Sequence, residues 1–160
     1  MDKALEIKFQ KNTKIFKKNV LVRVDLNVPV VKGKISDFTK IYSLRETLLN
    51  LIKNKNKIFL LSHFGRPRGV FKKELSLQNI INEIQNSLKL NKLYFVKDYF
   101  GKEIEDTIKL MHTGEVCLLE NIRFHKEEEK NIESFAEKFS YNFDVYINDA
   151  FSASHRSHAS

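Results

Sequence analysis

Five short apolar runs, separated by stretches of helical period, predict an α/β fold: a doubly wound, mostly parallel sheet with helices on both faces. The runs are β-branched and almost free of polar residues, as strands covered on both faces of a parallel sheet must be. They recur at steps of about 30 residues, the length of a right-handed strand-helix-strand unit.

In chain order, Val20-Leu21-Val22-Arg23-Val24 is the first strand and Lys57-Ile58-Phe59-Leu60-Leu61 the second. Between them Ile41, Leu44, Leu48, Leu51 and Ile52 fall on one face of a helix. Leu77, Ile80, Ile81, Ile84 and Leu88 mark the next helix, with Ser76 as its N-cap, before the third strand, Leu93-Tyr94-Phe95-Val96. Ile104, Ile108 and Met111 predict a shorter helix ahead of Val116-Cys117-Leu118-Leu119. Ile132, Phe135, Ala136 and Phe139 predict another before the last strand, Val145-Tyr146-Ile147. Glu127-Glu128-Glu129 reads as a solvated face ahead of that helix rather than a metal site.

A length of 160 residues suits one domain, and a chain of that size buries roughly 70% of its unfolded surface. With 42% apolar and 30% charged residues, neither a disordered nor a fibrous chain is expected. No apolar run approaches the roughly 18 residues of a membrane span, and the opening MDKALEIKFQ lacks a secretory core. A cytoplasmic protein without a membrane partner is expected. The single cysteine, Cys117, excludes an internal disulfide; with no Cys/His pair at ligand spacing it reads as a buried strand residue, and no metal site is expected.

Subtracting 20 acidic from 28 basic side chains leaves a net charge of +8, which attracts anions without choosing among nucleic acid, acidic lipid and phosphorylated metabolites. Position chooses better than charge. In open α/β sheets ligands bind outside the carboxyl ends of the strands. Asp25 and Asn27 follow the first run; His63 and Arg66 follow the second; Asn121 and Arg123 follow the fourth; Asn148, Asp149, His155, Arg156 and His158 follow the fifth. Guanidinium forks bind carboxylate and phosphate bidentately, imidazoles add donors, and an acid and an amide read hydroxyls, so this rim suits a small polyanion. Taken singly, each residue has another account. Asp25 reads as a partner of Arg23, Asn27 as a stabiliser of the turn before Pro29, His63 or His158 as a structural histidine, and Arg123 as a surface charge. The glycines, at positions 33, 65, 69, 101 and 114, form neither GxGxxG nor GxxxxGK[ST], so no nucleotide cradle is expected.

The strings VLVRVDLNVP (20–29), LLSHFGRPRG (60–69), LLENIRF (118–124) and DVYINDAFSASHRSHAS (144–160) resemble phosphoglycerate kinase. The likeness runs in order over essentially the whole chain, and implies that residues 1–160 are the Rossmann-like N-terminal domain of that two-domain enzyme. It implies a site for 3-phosphoglycerate or 1,3-bisphosphoglycerate in which Asp25 and Asn27 hold the glycerate end. His63, Arg66, Arg123 and Arg156 would form the basic patch around the phosphate, completed by His155 and His158. Mg-ATP would sit on the C-terminal domain, a partner outside these residues, and would give its γ-phosphoryl group directly to the substrate carboxylate. The domain alone is expected to bind no cofactor, and to bind 3-phosphoglycerate without turnover.

Departures from the family pattern bear on this. Thr39-Lys40-Ile41 stands where the family has Thr-Arg-Ile, so Lys40 occupies the catalytic and substrate-binding position of an arginine that stabilises the transferring phosphoryl group. One ammonium cannot reproduce a planar fork. Ser152-Ala153-Ser154 and Ser157 replace Gly-Thr-Ala and Ala around the His-Arg pair, and Arg45-Glu46 replaces a Leu-Pro pair, which suggests altered packing. The end at Ser160, inside the segment that leads to the family's interdomain hinge, reads as truncation. A second reading is a basic, non-catalytic module that keeps the fold and uses its charge for nucleic acid or another protein. Against nucleic acid stand the scatter of Lys11, Lys14, Lys17, Lys18, Lys53, Lys55 and Lys57 and the lack of an aromatic platform. A monomer is expected.

Overall fold

The computed structural model describes residues 14–150. In chain order they form β1 (Asn19–Arg23), a hairpin of β2 (Val30–Val31) and β3 (Lys34–Ile35), helices α1 (Thr39–Ser43) and α2 (Arg45–Lys53), and β4 (Lys57–Leu61). Then follow α3 (Ile81–Leu88), β5 (Leu93–Val96), α4 (Lys102–Leu110), β6 (Val116–Leu119), α5 (Lys126–Glu129), α6 (Glu133–Ser140) and β7 (Val145–Asn148). The five apolar runs are the five strands of one sheet, ordered β5-β6-β4-β1-β7, with every pairing parallel.

Side chains alternate across that sheet and build a core on each face. Val20, Val22, Ile58, Leu60 and Leu118 pack with Ile41, Leu48, Leu51 and Ile84 from α1, α2 and α3. Leu21, Phe59, Leu61, Cys117 and Leu119 pack on the other face with Ile104 of α4 and Phe135 and Phe139 of α6. Right-handed crossovers account for the division: the chain runs outward from β1 to β4 and β5 over one face, then back to β6 and β7 over the other. The expected doubly wound sheet is therefore present, and Cys117 is fully buried in it.

Local differences have physical causes. The helix expected through Ile41 and Ile52 is broken at Leu44 into α1 and α2. There the unexpected Arg45 packs specifically, its guanidinium 4.6 Å over the Tyr42 ring and donating to Ser87 O at 2.6 Å. Ser76 does cap its helix, accepting from Gln78 N, but the first turn, Leu77–Ile80, is wound more tightly than α3 itself. The β2–β3 hairpin has no apolar run to announce it. Its two-residue turn uses Lys32 and Gly33, both at positive φ, as the twist of a two-residue hairpin requires. The acid run Glu127-Glu128-Glu129 is not simply a solvated face: Glu128 in α5 is fully buried. No helix among the described residues is long and apolar enough to cross a membrane.

Candidate functional site

The carboxyl ends of β1 and β4 lie side by side, and the loops that leave them are tied together by polar side chains. Asp25 Oδ1 accepts from Asn27 N at 3.0 Å, an Asx turn that stiffens the loop after β1. Asn27 Oδ1 accepts from Gly65 N at 2.9 Å, joining that loop to the one after β4. Gly65 sits at φ 63°, and a Cβ there would come within 2.6 Å of Leu75 Cδ2, so glycine fits this junction with the least strain. Lys40 arrives from the first turn of α1, where Thr39 N and Oγ1 both donate to Asp37 Oδ1 and hold the Asp37 carboxyl below its usual range. Its Nζ lies 2.9 Å from Asp25 Oδ2 and donates to Asn27 O at 3.1 Å.

Beneath this group is a buried basic layer. Arg23, the polar residue inside the first apolar run, is 2% exposed and donates to Val24 O and to His63 Nδ1, the latter at 3.0 Å. Burial above all, then the neighbouring Arg123 and Arg23 guanidiniums, pushes the His63 imidazolium pKa down to about 3. His63 therefore offers a neutral ring and a donor, not a positive charge. Burial likewise holds Arg23 below the usual guanidinium range.

Arg123 is not a surface charge. It follows β6 in a short turn, Ile122–Phe124, and is 3% exposed. Its Nε lies 3.7 Å from Glu128 Oε2 and 3.9 Å from Glu129 Oε1, ion-pair distances too long for hydrogen bonds. Asn121, just before it, serves as a strut. Its Oδ1 accepts from Phe64 N and Arg123 N, and its Nδ2 donates to Phe64 O and Leu75 O.

Of the residues singled out in the sequence, Asp25, Asn27, Lys40 and His63 are thus gathered at one rim, with Arg123 buried close enough to depress His63. Arg66 is exposed in the loop after β4 and has no hydrogen-bonding partner among the described residues. His155, Arg156 and His158 lie outside the described residues. Asp149 lies at the end of β7, its backbone N donating to Arg23 O at 2.8 Å while its buried Oδ2 has no partner among the described residues. Among the described residues no group of three or more His, Cys, Asp or Glu side chains gathers as a metal site.

A sequence model of the family "Phosphoglycerate kinase" matches residues 10–160. The chain belongs to the phosphoglycerate kinase family. It is 48% identical over 143 residues to the phosphoglycerate kinase of Agrobacterium fabrum, covering 89% of this chain and 36% of that protein. With that of Wolbachia pipientis wMel it shares 42% identity over 149 residues, 93% of this chain and 37% of the relative. Among solved structures, phosphoglycerate kinase from Coxiella burnetii superposes with a TM-score of 0.82 at 33% identity, over 94% of this chain and 37% of that one. The enzyme from Pyrococcus horikoshii OT3 gives a TM-score of 0.80 at 28% identity, over 94% and 38%. The chain therefore spans little more than a third of the length of these phosphoglycerate kinases.

Sequence reasoning named three further members of this layer without finding what they do. Arg23 carried a signal, a charge within an otherwise apolar strand. Glu128 carried none that separates it from Glu127 and Glu129. Asn121 was legible as a polar residue at a strand end but not as a strut, since its partners, Phe64 and Leu75, lie far away in sequence.

Proposed function

We propose that this chain is the substrate-binding part of a phosphoglycerate kinase, a phosphotransferase with a carboxylate acceptor, and that it binds 3-phosphoglycerate on the rim formed by the loops after β1, β4 and β6. The observation that carries the reading is the convergence of Asp25, Asn27, Lys40 and His63 at the carboxyl ends of neighbouring parallel strands in a chain of this family. Asp25 and Asn27 take the glycerate hydroxyl, His63 donates from its neutral ring, and Arg66 and Arg123 neutralise the phosphate; the family resemblance gives Arg156, His155 and His158 the same task. In the complete reaction a substrate carboxylate oxygen forms a bond to the γ-phosphorus of ATP as the bridging oxygen bond breaks and ADP leaves. Positioning and charge neutralisation do this work, and Lys40 is the residue of this chain nearest in role to the family's arginine.

Mg-ATP would neutralise the polyphosphate and supply the phosphoryl group from the family's second domain. The absence of GxGxxG and GxxxxGK[ST] from the sequence supports placing the donor there rather than on this chain. Alone, the chain binds without turnover.

Thermal melting tests the binding step. Ligand at about 100 times its Kd stabilises by about 2.7 kcal/mol, a rise of several degrees for a domain of this size. Millimolar 3-phosphoglycerate is expected to raise the melting temperature of the wild-type chain, and Asp25→Asn together with Asn27→Ala is expected to abolish the rise. No rise, or a rise matched by an unrelated polyanion and erased by moderate salt, would replace this reading with the basic binding module.

A further inference from the structure

The same end of the sheet carries a cleft that the substrate reading leaves unused. The loop after β4 turns toward the face of α3, whereas those after β5 and β6 turn toward the face of α4 and α6, and such divergence opens a crevice at the strand ends. A cleft of about 500 Å³ lies there, lined among others by Phe71, Lys73, Gln78, Lys97, Phe124 and His125. Its volume is that of a small-molecule site. Asp25, Asn27, Lys40, His63, Arg66 and Arg123 do not line it. The Asn121 strut follows Glu120 of the cleft lining and clips Phe64, next to His63 of the rim.

The one carboxylate in the lining is already satisfied. Glu120 accepts from Ser76 Oγ at 2.6 Å, Leu77 N at 2.9 Å and Asn121 N at 2.8 Å. What remains toward the cleft is aromatic, cationic and amide. Phe71 is 63% exposed, with its ring 4.9 Å from that of Phe124, so one face of an aromatic pair is open to a third ring. Lys73 and Lys97 are exposed on the same lining and have no ion-pair partner among the described residues. The Gln78 side-chain amide also makes no hydrogen bond among them.

We infer that this cleft binds a small aromatic anion, a planar ring bearing a phosphate group, with the ring against Phe71 and Phe124 and the phosphate between Lys73 and Lys97. The site stands independently of the substrate reading. It is tested by titrating 1-naphthyl phosphate into the 160-residue chain at low salt and following amide shifts by NMR. Saturable binding is expected, with shifts centred on Phe71, Lys73, Lys97, Phe124 and His125. Lys73→Gln combined with Lys97→Gln, both surface changes that leave the amide dispersion intact, is expected to weaken binding about fivefold or more. Phe71→Ser is expected to weaken it as well, and inorganic phosphate at the same concentration to leave the shifts in place. No binding, shifts centred on Asp25, Asn27 and His63, affinity unmoved by the double substitution, or equal competition by inorganic phosphate would each overturn the assignment.

Discussion

The Arg23 guanidinium donates to His63 Nδ1 across 3.0 Å in the buried layer beneath the rim. A guanidinium has donors only and keeps its proton at any ordinary pH, so Nδ1 must accept and the proton of the neutral ring must sit on Nε2. One buried arginine thereby sets the tautomer with which His63 meets a ligand.

That arrangement makes stability depend on pH. The folded His63 pKa, about 3, lies below the ordinary histidine value near 6.5, so the unfolded chain binds the extra proton first. Its contribution is complete above about pH 7.5 and is lost as pH falls through 6.5 toward 3. For a group so placed, the loss between pH 7.5 and 5.5 is about 1.4 kcal/mol. His125, also depressed mainly by burial, adds in the same direction. His63→Asn keeps an acceptor near the Nδ1 position and removes the titration, so its urea midpoint is expected to fall less between those pH values than that of the wild type. Equal falls would mean that His63 is charged in the folded chain.

A second expectation concerns Arg123 and Glu128, 3% and 0% exposed and 3.7 Å apart. Removing one charge of a buried pair strands the other, at a cost of about 3 kcal/mol. Glu129, 3.9 Å from the same Nε but 39% exposed, is worth less than about 1 kcal/mol. Urea unfolding should therefore separate Glu128→Gln from Glu129→Gln by about 2 kcal/mol or more. Similar small losses would show that Glu128 does not hold the buried guanidinium.

These two cases mark where the sequence stops informing. The sheet was legible because a parallel strand buried on both faces must be apolar at every position, and Val20 to Val22, Ile58 to Leu61 and Val116 to Leu119 all satisfy that rule. The rim was legible because strand ends in such sheets are fixed in space, which puts Asp25, Asn27 and His63 together whatever the loops do. Lys40 came to notice only through the family likeness, and its 2.9 Å contact with Asp25 is set by the entry of α1, not by any spacing. Glu128 was illegible for a general reason: three adjacent glutamates cannot reveal which one a helix turns inward. The β2–β3 hairpin was missed because exposed Val30 and Val31 carry no burial pattern, although Lys32-Gly33 between short β-branched stretches is a turn signal.

Asn121 yields a third prediction. Its amide satisfies Phe64 N, Phe64 O, Leu75 O and Arg123 N in a buried setting. Alanine would leave those groups unpaired, at about 1–3 kcal/mol for the first and less for any that water can reach. Because the Phe64 contacts hold the loop that carries His63 and Gly65, Asn121→Ala is expected to lower stability by about 2–3 kcal/mol and also to weaken 3-phosphoglycerate binding. Titration calorimetry at a temperature where the variant is fully folded separates the two effects; unchanged affinity there would mean that the strut supports the fold alone.

Lys40 supplies the last and most direct test. The Lys40–Asp25 pair is half exposed on the lysine side, so as a contribution to stability it is worth less than about 1 kcal/mol. In catalysis a group that meets developing charge on a transferring phosphoryl counts for more, about 2.7–4 kcal/mol for a well-aimed donor. A guanidinium at this position spans two oxygens where the ammonium reaches one. The measurement joins residues 1–160 to the remaining two thirds of the Agrobacterium fabrum enzyme and compares Lys40 with Lys40→Arg. Thermal stability is expected to change little while kcat rises about tenfold or more, toward the 10²–10³ that such donors provide. A fall in KM with kcat unchanged would instead show that residue 40 binds ground state and transition state alike. Equal kcat values would show that this lysine already does what the family's arginine does.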